Sequence, residues 1–133
     1  MIKFKKKLRS STTFNLTETG RRILKELAEV NALSEGDVVE NLVMDFNGDL
    51  SDLSKAKVTG PKGGAPSLFP GKNRGTTTAI TFTEGGRIVL DSQAEIANVS
   101  RGDWIEFLLR HEAQLGFDNP KLDALMGSAY AAV

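Results

Sequence analysis

The sequence predicts a mainly α-helical protein in which a unit of one short strand and two helices occurs twice. Residues 12–46 align with residues 78–112 without a gap, and thirteen of the 35 aligned positions are identical. Each copy begins with alternating apolar and polar residues, which is the pattern of a strand with one buried face. Each then continues with apolar residues at helical spacing. Repetition in one register indicates internal duplication, with a core that both copies share.

The first copy contains a strand over residues 12–17, in which Phe14 and Leu16 form the apolar face. Thr17 is the predicted N-cap of a helix that ends near residue 32. Residues 34–37, Ser-Glu-Gly-Asp, then read as a capping box that starts a second helix ending near residue 46. Gly20, inside the first helix, is expected to allow close helix packing.

The second copy repeats this order, with a strand over 77–82, a helix from Thr83 to about residue 98, and a helix from Ser100 to about residue 114. Gly86 matches Gly20, and Trp104 falls on the core position that corresponds to Val38. The chain is therefore divided into five parts: a basic arm (1–9), a first unit (10–46), a flexible basic Gly/Pro linker (47–75) with one helical turn near its start, a second unit (76–114), and a C-terminal accessory helix or tail (115–133). Asn119 and Pro120 are a good cap and first-turn pair for that last helix.

The charges are strongly segregated although the net charge is zero, with 17 basic and 17 acidic residues. Residues 1–16 and residues 55–75 each carry five basic residues and no acid, so basic charge precedes each strand. Such a chain can present a positive face to a polyanion. No apolar run approaches the roughly 20 residues that span a membrane. The absence of cysteine fits a reducing cytoplasm.

Catalysis, metal binding and cofactor binding have little support in the sequence. His111 is the only histidine, there is no cysteine, and no acid–base constellation recurs. The glycine-rich stretch 60–64 lacks the spacing of a nucleotide-binding loop. We therefore expect neither an enzyme nor a bound cofactor or metal.

The order of strand, helix, capped turn and helix resembles the ribbon-helix-helix unit of the Arc/CopG/MetJ class of DNA-binding proteins, and residues 14–16, Phe-Asn-Leu, look like the strand of an Arc-type repressor. The resemblance covers residues 10–46 and 76–114. It implies that the two strands pair into an antiparallel ribbon that lies in the DNA major groove, with the helices interlocked beneath it. Both units lie in one chain, as in TraY-type plasmid proteins, so the resemblance implies an intramolecular pseudo-dimer.

The resemblance also implies roles for individual residues. The outward strand positions that would read bases are Thr13, Asn15, Thr17, Ala79, Thr81 and Thr83. The starts of the second helices would bind DNA phosphates through Ser34, Gly36, Ser100, Arg101 and Gly102. The basic arm and linker would add Lys3, Lys5, Lys6, Lys7, Arg9, Lys72 and Arg74. At the base-reading positions, the small hydroxyl side chains and the alanine depart from the longer Arg, Lys or Gln that are common in the family. More of the recognition is therefore left to backbone contacts and DNA shape.

The expected function is sequence-specific binding of double-stranded DNA in the cytoplasm, associated with the nucleoid. The chain would serve as a transcriptional repressor or autoregulator, or as a plasmid or mobile-element factor, with self-association on DNA through the helices or the tail. Two alternatives stay open. One is an adaptor or antitoxin that acts through protein–protein contacts of the tail or linker, and the other is a basic arm that docks on an anionic membrane.

Overall fold

The computed structural model describes residues 9–48, 51–61, 63–71 and 77–131, without the side chains of residues 9, 10 and 127–131. It is mainly helical with a two-stranded antiparallel sheet, which confirms the coarse prediction. The elements in chain order are β1 (Arg9–Phe14), α1 (Glu18–Asn31), α2 (Glu35–Asp45), a 3-10 turn (Ser54–Ala56), β2 (Thr78–Thr83), α3 (Glu84–Ala97), α4 (Arg101–Glu112) and α5 (Pro120–Ala131).

The two strands form a ribbon of six residue pairs, from Arg9 opposite Thr83 to Phe14 opposite Thr78. Thr13 lies opposite Ala79, and these two positions are equivalent in the 66-residue repeat. Equivalent positions of the two copies therefore lie equally far from this pair, on opposite sides of it. β1 begins and ends three residues before the predicted strand, because its pairing with β2 continues to Arg9. Arg9 thus belongs to the ribbon and not to the preceding arm.

One face of the ribbon is buried in the core. Phe14, Ile80 and Phe82 are at most 5% exposed. The period of two along each strand places these side chains on the same face, against the helices. Trp104, near the start of α4, is buried in the core, as the sequence predicted, and stacks on Phe107.

Two glutamates join the two copies through reciprocal hydrogen bonds. Glu106, on α4, accepts from the backbone N–H and the hydroxyl of Thr17, both at 2.8 Å. Glu40, on α2, accepts from the same two groups of Thr83, with a backbone N–H distance of 2.8 Å. Each carboxylate lies on the second helix of one copy and binds the N-cap of the first helix of the other. A single polar contact is thus built twice, 66 residues apart.

Four glycines let this packing occur. A Cβ added to Gly20 would lie 2.5 Å from Oε1 of Glu106, and one added to Gly86 would lie 2.6 Å from Oε1 of Glu40. The predicted role of these two glycines in close packing is therefore confirmed. Gly36 and Gly102 lie in the first turns of α2 and α4, where an added Cβ would overlap a backbone carbonyl oxygen of the other copy, that of Thr81 in β2 or of Asn15 just after β1. The helix starts are pressed directly on the ribbon backbone.

The linker was predicted to be flexible, and its described part contains residues that are buried in the core. Leu53 and Leu68 are 3% and 0% exposed. The Leu53 N–H donates to the Ala97 carbonyl at 2.8 Å, and the Leu68 N–H donates to Oδ2 of Asp103 at 3.0 Å. These contacts were not predicted because isolated apolar residues among glycines and prolines show no helical or strand period.

The C-terminal helix α5 begins where the sequence predicted and is anchored to the linker. Oδ1 of Asn119 accepts from the Leu122 N–H at 3.2 Å, which caps the helix. Nδ2 of the same buried amide donates to the carbonyls of Ala56 at 2.9 Å and Leu68 at 2.8 Å. The Asn119 side chain therefore joins the start of α5 to two positions of the linker.

Arg110 connects the linker and the segment before α5 to the second copy. Its Nε donates to Oε2 of Glu106 at 2.9 Å, its Nη1 donates to the Gly116 carbonyl at 3.0 Å, and its guanidinium lies 4.9 Å from the centre of the Phe69 ring. The equivalent position in the first copy is Met44. The two copies are therefore alike in their ribbon and helices and different in what surrounds them.

Candidate nucleic-acid interface

The outer face of the ribbon is lined by short polar and small side chains from both copies. Successive residues of a strand point to opposite faces, so the residues between the buried ones are exposed. The described exposed residues of this face are Ser11, Thr13, Asn15, Thr77, Ala79 and Thr81. This set is called the ribbon face below.

The ribbon face is arranged in three rows. Ser11 pairs with Thr81, and Thr13 pairs with Ala79. Continuing the register by one residue beyond the last pair places Asn15 beside Thr77. Because a strand rises about 3.4 Å per residue, neighbouring rows are about 7 Å apart and the outer rows about 14 Å apart.

Four of the predicted base-reading residues, Thr13, Asn15, Ala79 and Thr81, are exposed on this face. Thr17 and Thr83 are not, and the prediction for these two is wrong. The Thr17 hydroxyl accepts from the Gly20 N–H at 3.1 Å and donates to Glu106. Thr83 makes the same contacts with Gly86 and Glu40. A hydroxyl that caps a helix and donates to a carboxylate has no proton left to donate to a base edge.

Ser11 and Thr77 belong to the ribbon face but were not among the predicted readers. Counting back by two residues from Thr13 and Ala79 reaches both positions. The period was present in the sequence. Ser11 was missed because the first predicted strand starts at residue 12, whereas Thr77 lies inside the second predicted strand and was not named as a reader.

The predicted phosphate sites divide into exposed and buried residues. Ser34 and Ser100 are exposed N-caps that accept from the N–H groups of Asp37 and Asp103, each at 3.1 Å. Gly36 and Gly102 are buried against the ribbon backbone. The space beside the Cα of each of these glycines is therefore filled by a backbone carbonyl of the other copy and is not open to a phosphate.

Arg101 is partly neutralised by a bidentate ion pair. Its Nε lies 2.5 Å from Oδ1 of Asp91, its Nη2 lies 3.1 Å from Oδ2, and its side chain is 39% exposed. An ion pair at this exposure is weak, since water screens it. Arg101 can therefore turn to a phosphate if one is presented beside the start of α4.

The six described side chains of the ribbon face carry no charge, so any attraction to a polyanion must come from residues around them. Lys3, Lys5, Lys6, Lys7, Lys72 and Arg74 lie outside the described residues, as does the side chain of Arg9. Residues 1–8 precede Arg9 at one end of the ribbon, and residues 72–76 precede Thr77 at the other. The antiparallel pairing thus connects the two basic segments to opposite ends.

A groove lies on another part of the protein and is not lined by ribbon residues. This groove of about 830 Å³ runs between α1, α2, α4 and the middle of α5. Its lining includes Leu33 and Leu125, which are 40% and 42% exposed, and the ring of Trp104. Asp45 and Glu112 add acidic charge to the lining.

A metal-binding cluster of side chains is absent from the described part of the chain. No three His, Asp or Glu side chains converge there in a way that could hold a metal ion. The pKa of Asp52 is lowered by hydrogen bonds from the side chain and backbone of Ser54, which is a local turn contact. Within the same residues, no helix is both long and apolar enough to cross a bilayer.

Comparison with known proteins adds no relative. The chain matches no protein-family model, and no curated protein or solved structure is significantly similar to it.

Proposed function

We propose that the chain is a single-chain ribbon-helix-helix protein that binds double-stranded DNA sequence-specifically by placing its ribbon in the major groove. The observation that carries the proposal is the ribbon face, to which both copies contribute exposed small and polar side chains. Its backbone is supported from beneath by the first turns of α2 and α4. A binding surface on such a rigid element can discriminate between closely similar ligands.

The chemistry of the ribbon face suits base edges. The major groove accommodates a two-stranded ribbon and displays a different set of donors, acceptors and methyl groups for each base pair. The Asn15 amide can bind adenine through a donor and an acceptor, and the methyl groups of Ala79 and the threonines can contact thymine. A good bidentate contact discriminates by about 1–3 kcal/mol.

The basic segments that precede each strand would supply the affinity for phosphates. Lysines and arginines that neutralise phosphates release counterions, so binding weakens steeply as salt rises. Attachment at opposite ends of the ribbon lets these segments reach the backbone on both flanks of the site. Specificity and affinity would thus come from different parts of the chain.

The two copies act in this proposal as an intramolecular pseudo-dimer. The reciprocal contacts of Glu40 and Glu106 support it, because each copy completes the helix start of the other. A covalent link gives the second copy an effective concentration in the millimolar range, so the fold need not depend on protein concentration. Such a protein would serve as a cytoplasmic repressor or autoregulator, or as a plasmid or mobile-element factor, and could self-associate on DNA.

Selection from random duplex DNA tests the proposal. We expect enrichment of a defined sequence, with affinity that falls as salt rises. Asn15→Ala should relax the preference at one position by about 1–3 kcal/mol, while Asn47→Ala, an exposed asparagine off the ribbon, should leave the sequence unchanged. A wild-type protein that enriches no sequence and shows no salt-dependent DNA affinity would contradict the proposal.

The groove favours one alternative, an adaptor or antitoxin that holds a protein segment. Its exposed leucines offer an apolar surface of the kind found in protein interfaces. In that case the selection enriches no duplex sequence, and binding to the protein partner is insensitive to salt and lost on Leu33→Asp. The two functions are therefore separated by one variant on each surface, Asn15→Ala and Leu33→Asp.

A further inference from the structure

We infer that the two halves of the DNA site carry unequal information, with a defined adenine in the half that faces Asn15 and a weaker preference at the mirror position. This rests on the proposed DNA binding and extends it to the class of site, an asymmetric duplex whose centre faces Thr13 and Ala79.

The register identifies which residues of the ribbon face are equivalent. Because Thr13 and Ala79 are opposite one another and 66 positions apart, the repeat exchanges the two ends of the ribbon. Asn15 at one end corresponds to Thr81 at the other. Ser11 corresponds in the same way to Thr77, and both of these are hydroxyl residues.

The outer rows therefore differ chiefly at a single pair of positions, Asn15 and Thr81. An asparagine amide offers a donor and an acceptor in a fixed plane, which matches N6 and N7 of adenine. A threonine hydroxyl rotates and can donate or accept, so it selects less strongly among bases. The centre has only the short side chains of Thr13 and Ala79.

The backbones of the two positions are supported in the same way. The carbonyl of Asn15 packs on Gly102 at the start of α4, and that of Thr81 packs on Gly36 at the start of α2. A difference in recognition between the two ends thus originates in the side chains and not in the support beneath them.

The spacing gives the position of the adenine. The row of Asn15 lies about 7 Å from the central row, and base pairs rise about 3.4 Å along the duplex axis. The adenine should therefore lie about two base pairs from the centre, and its mirror position about four base pairs away from it.

Selection with two exchange variants tests this inference. The wild type should give a motif with one sharp half that contains the adenine, preferred by about tenfold or more. Asn15→Thr makes the two ends alike and should remove that preference. Thr81→Asn should create a second adenine preference, on the opposite strand at the mirror position, and so turn the motif into a near-palindrome. Both substitutions are at exposed positions, and a thermal melt of each variant checks its fold.

The outcomes separate this inference from the function on which it rests. If the wild type enriches no sequence, the proposed DNA binding itself fails. If the wild type enriches a sequence whose halves are equally defined, DNA binding stands and the inference is overturned. A motif that stays unchanged in folded Thr81→Asn would overturn it in the same way.

Discussion

Replacing Gly36 or Gly102 by alanine should destabilise the fold, although the same change stabilises an ordinary exposed helix. Alanine is favoured over glycine by about 1 kcal/mol inside a helix. At these two positions the new Cβ would come well within 3.0 Å of a carbonyl oxygen, that of Thr81 or of Asn15. A backbone carbonyl in or beside a paired ribbon cannot rotate away as a flexible side chain can, so the helix or the ribbon must move.

The expected magnitude follows from these two opposing effects. Overpacking a well-packed site costs about 1–3 kcal/mol, and an obstacle made of backbone favours the upper end of that range. Subtracting the helix gain of about 1 kcal/mol leaves a net loss of about 2 kcal/mol. In a chain of this length that corresponds to a Tm lowered by roughly 6–10 °C.

Urea unfolding followed by circular dichroism measures the effect, and Gly85→Ala is the matched control. Gly85 lies in the first turn of α3 and has no atom within 4 Å of an added Cβ, so we expect no loss and a gain of up to about 1 kcal/mol. If Gly36→Ala and Gly102→Ala are as stable as Gly85→Ala, the helix starts do not press on the ribbon and the reasoning is refuted.

Three further substitutions test other parts of the fold. Thr12→Val should raise the free energy of unfolding by about 1 kcal/mol, because the buried Thr12 hydroxyl has no hydrogen-bond partner within the described structure; lower stability would contradict this. Arg110→Met should cost about 3 kcal/mol in urea unfolding, since Glu106 stays buried without its cation, and an unchanged midpoint would show that the pair contributes nothing. Leu68→Ala should cost about 2–5 kcal/mol by thermal unfolding, whereas a freely flexible linker would tolerate it.

The repeat was the most informative signal in the sequence, because a gapless offset of 66 carries every element of one copy to the other. It supplied the order of strands and helices, and the period of two placed Thr13, Asn15, Ala79 and Thr81 on one face. Such local periods reflect which face of an element is buried, and burial is what the core imposes on each residue.

The errors concern residues whose partners are distant in the chain. Thr17 fits both the end of a strand and the cap of a helix, and its bond to Glu106, 89 residues away, decides for the cap. The burial of Gly102 was not predicted because the carbonyl that it packs against, that of Asn15, belongs to the other copy. The Leu68 N–H likewise donates to Asp103, 35 residues away, and no local pattern connects Asp103 to the linker.

The central claim, that the ribbon face binds duplex DNA, is tested most directly by titrating the isotope-labelled protein with a selected duplex and following backbone amide resonances. We expect the largest shifts at Ser11, Thr13, Asn15 and Thr81, with little change at Leu33 and Leu125 in the groove. Shifts concentrated in the groove, with the ribbon unchanged, would contradict the claim.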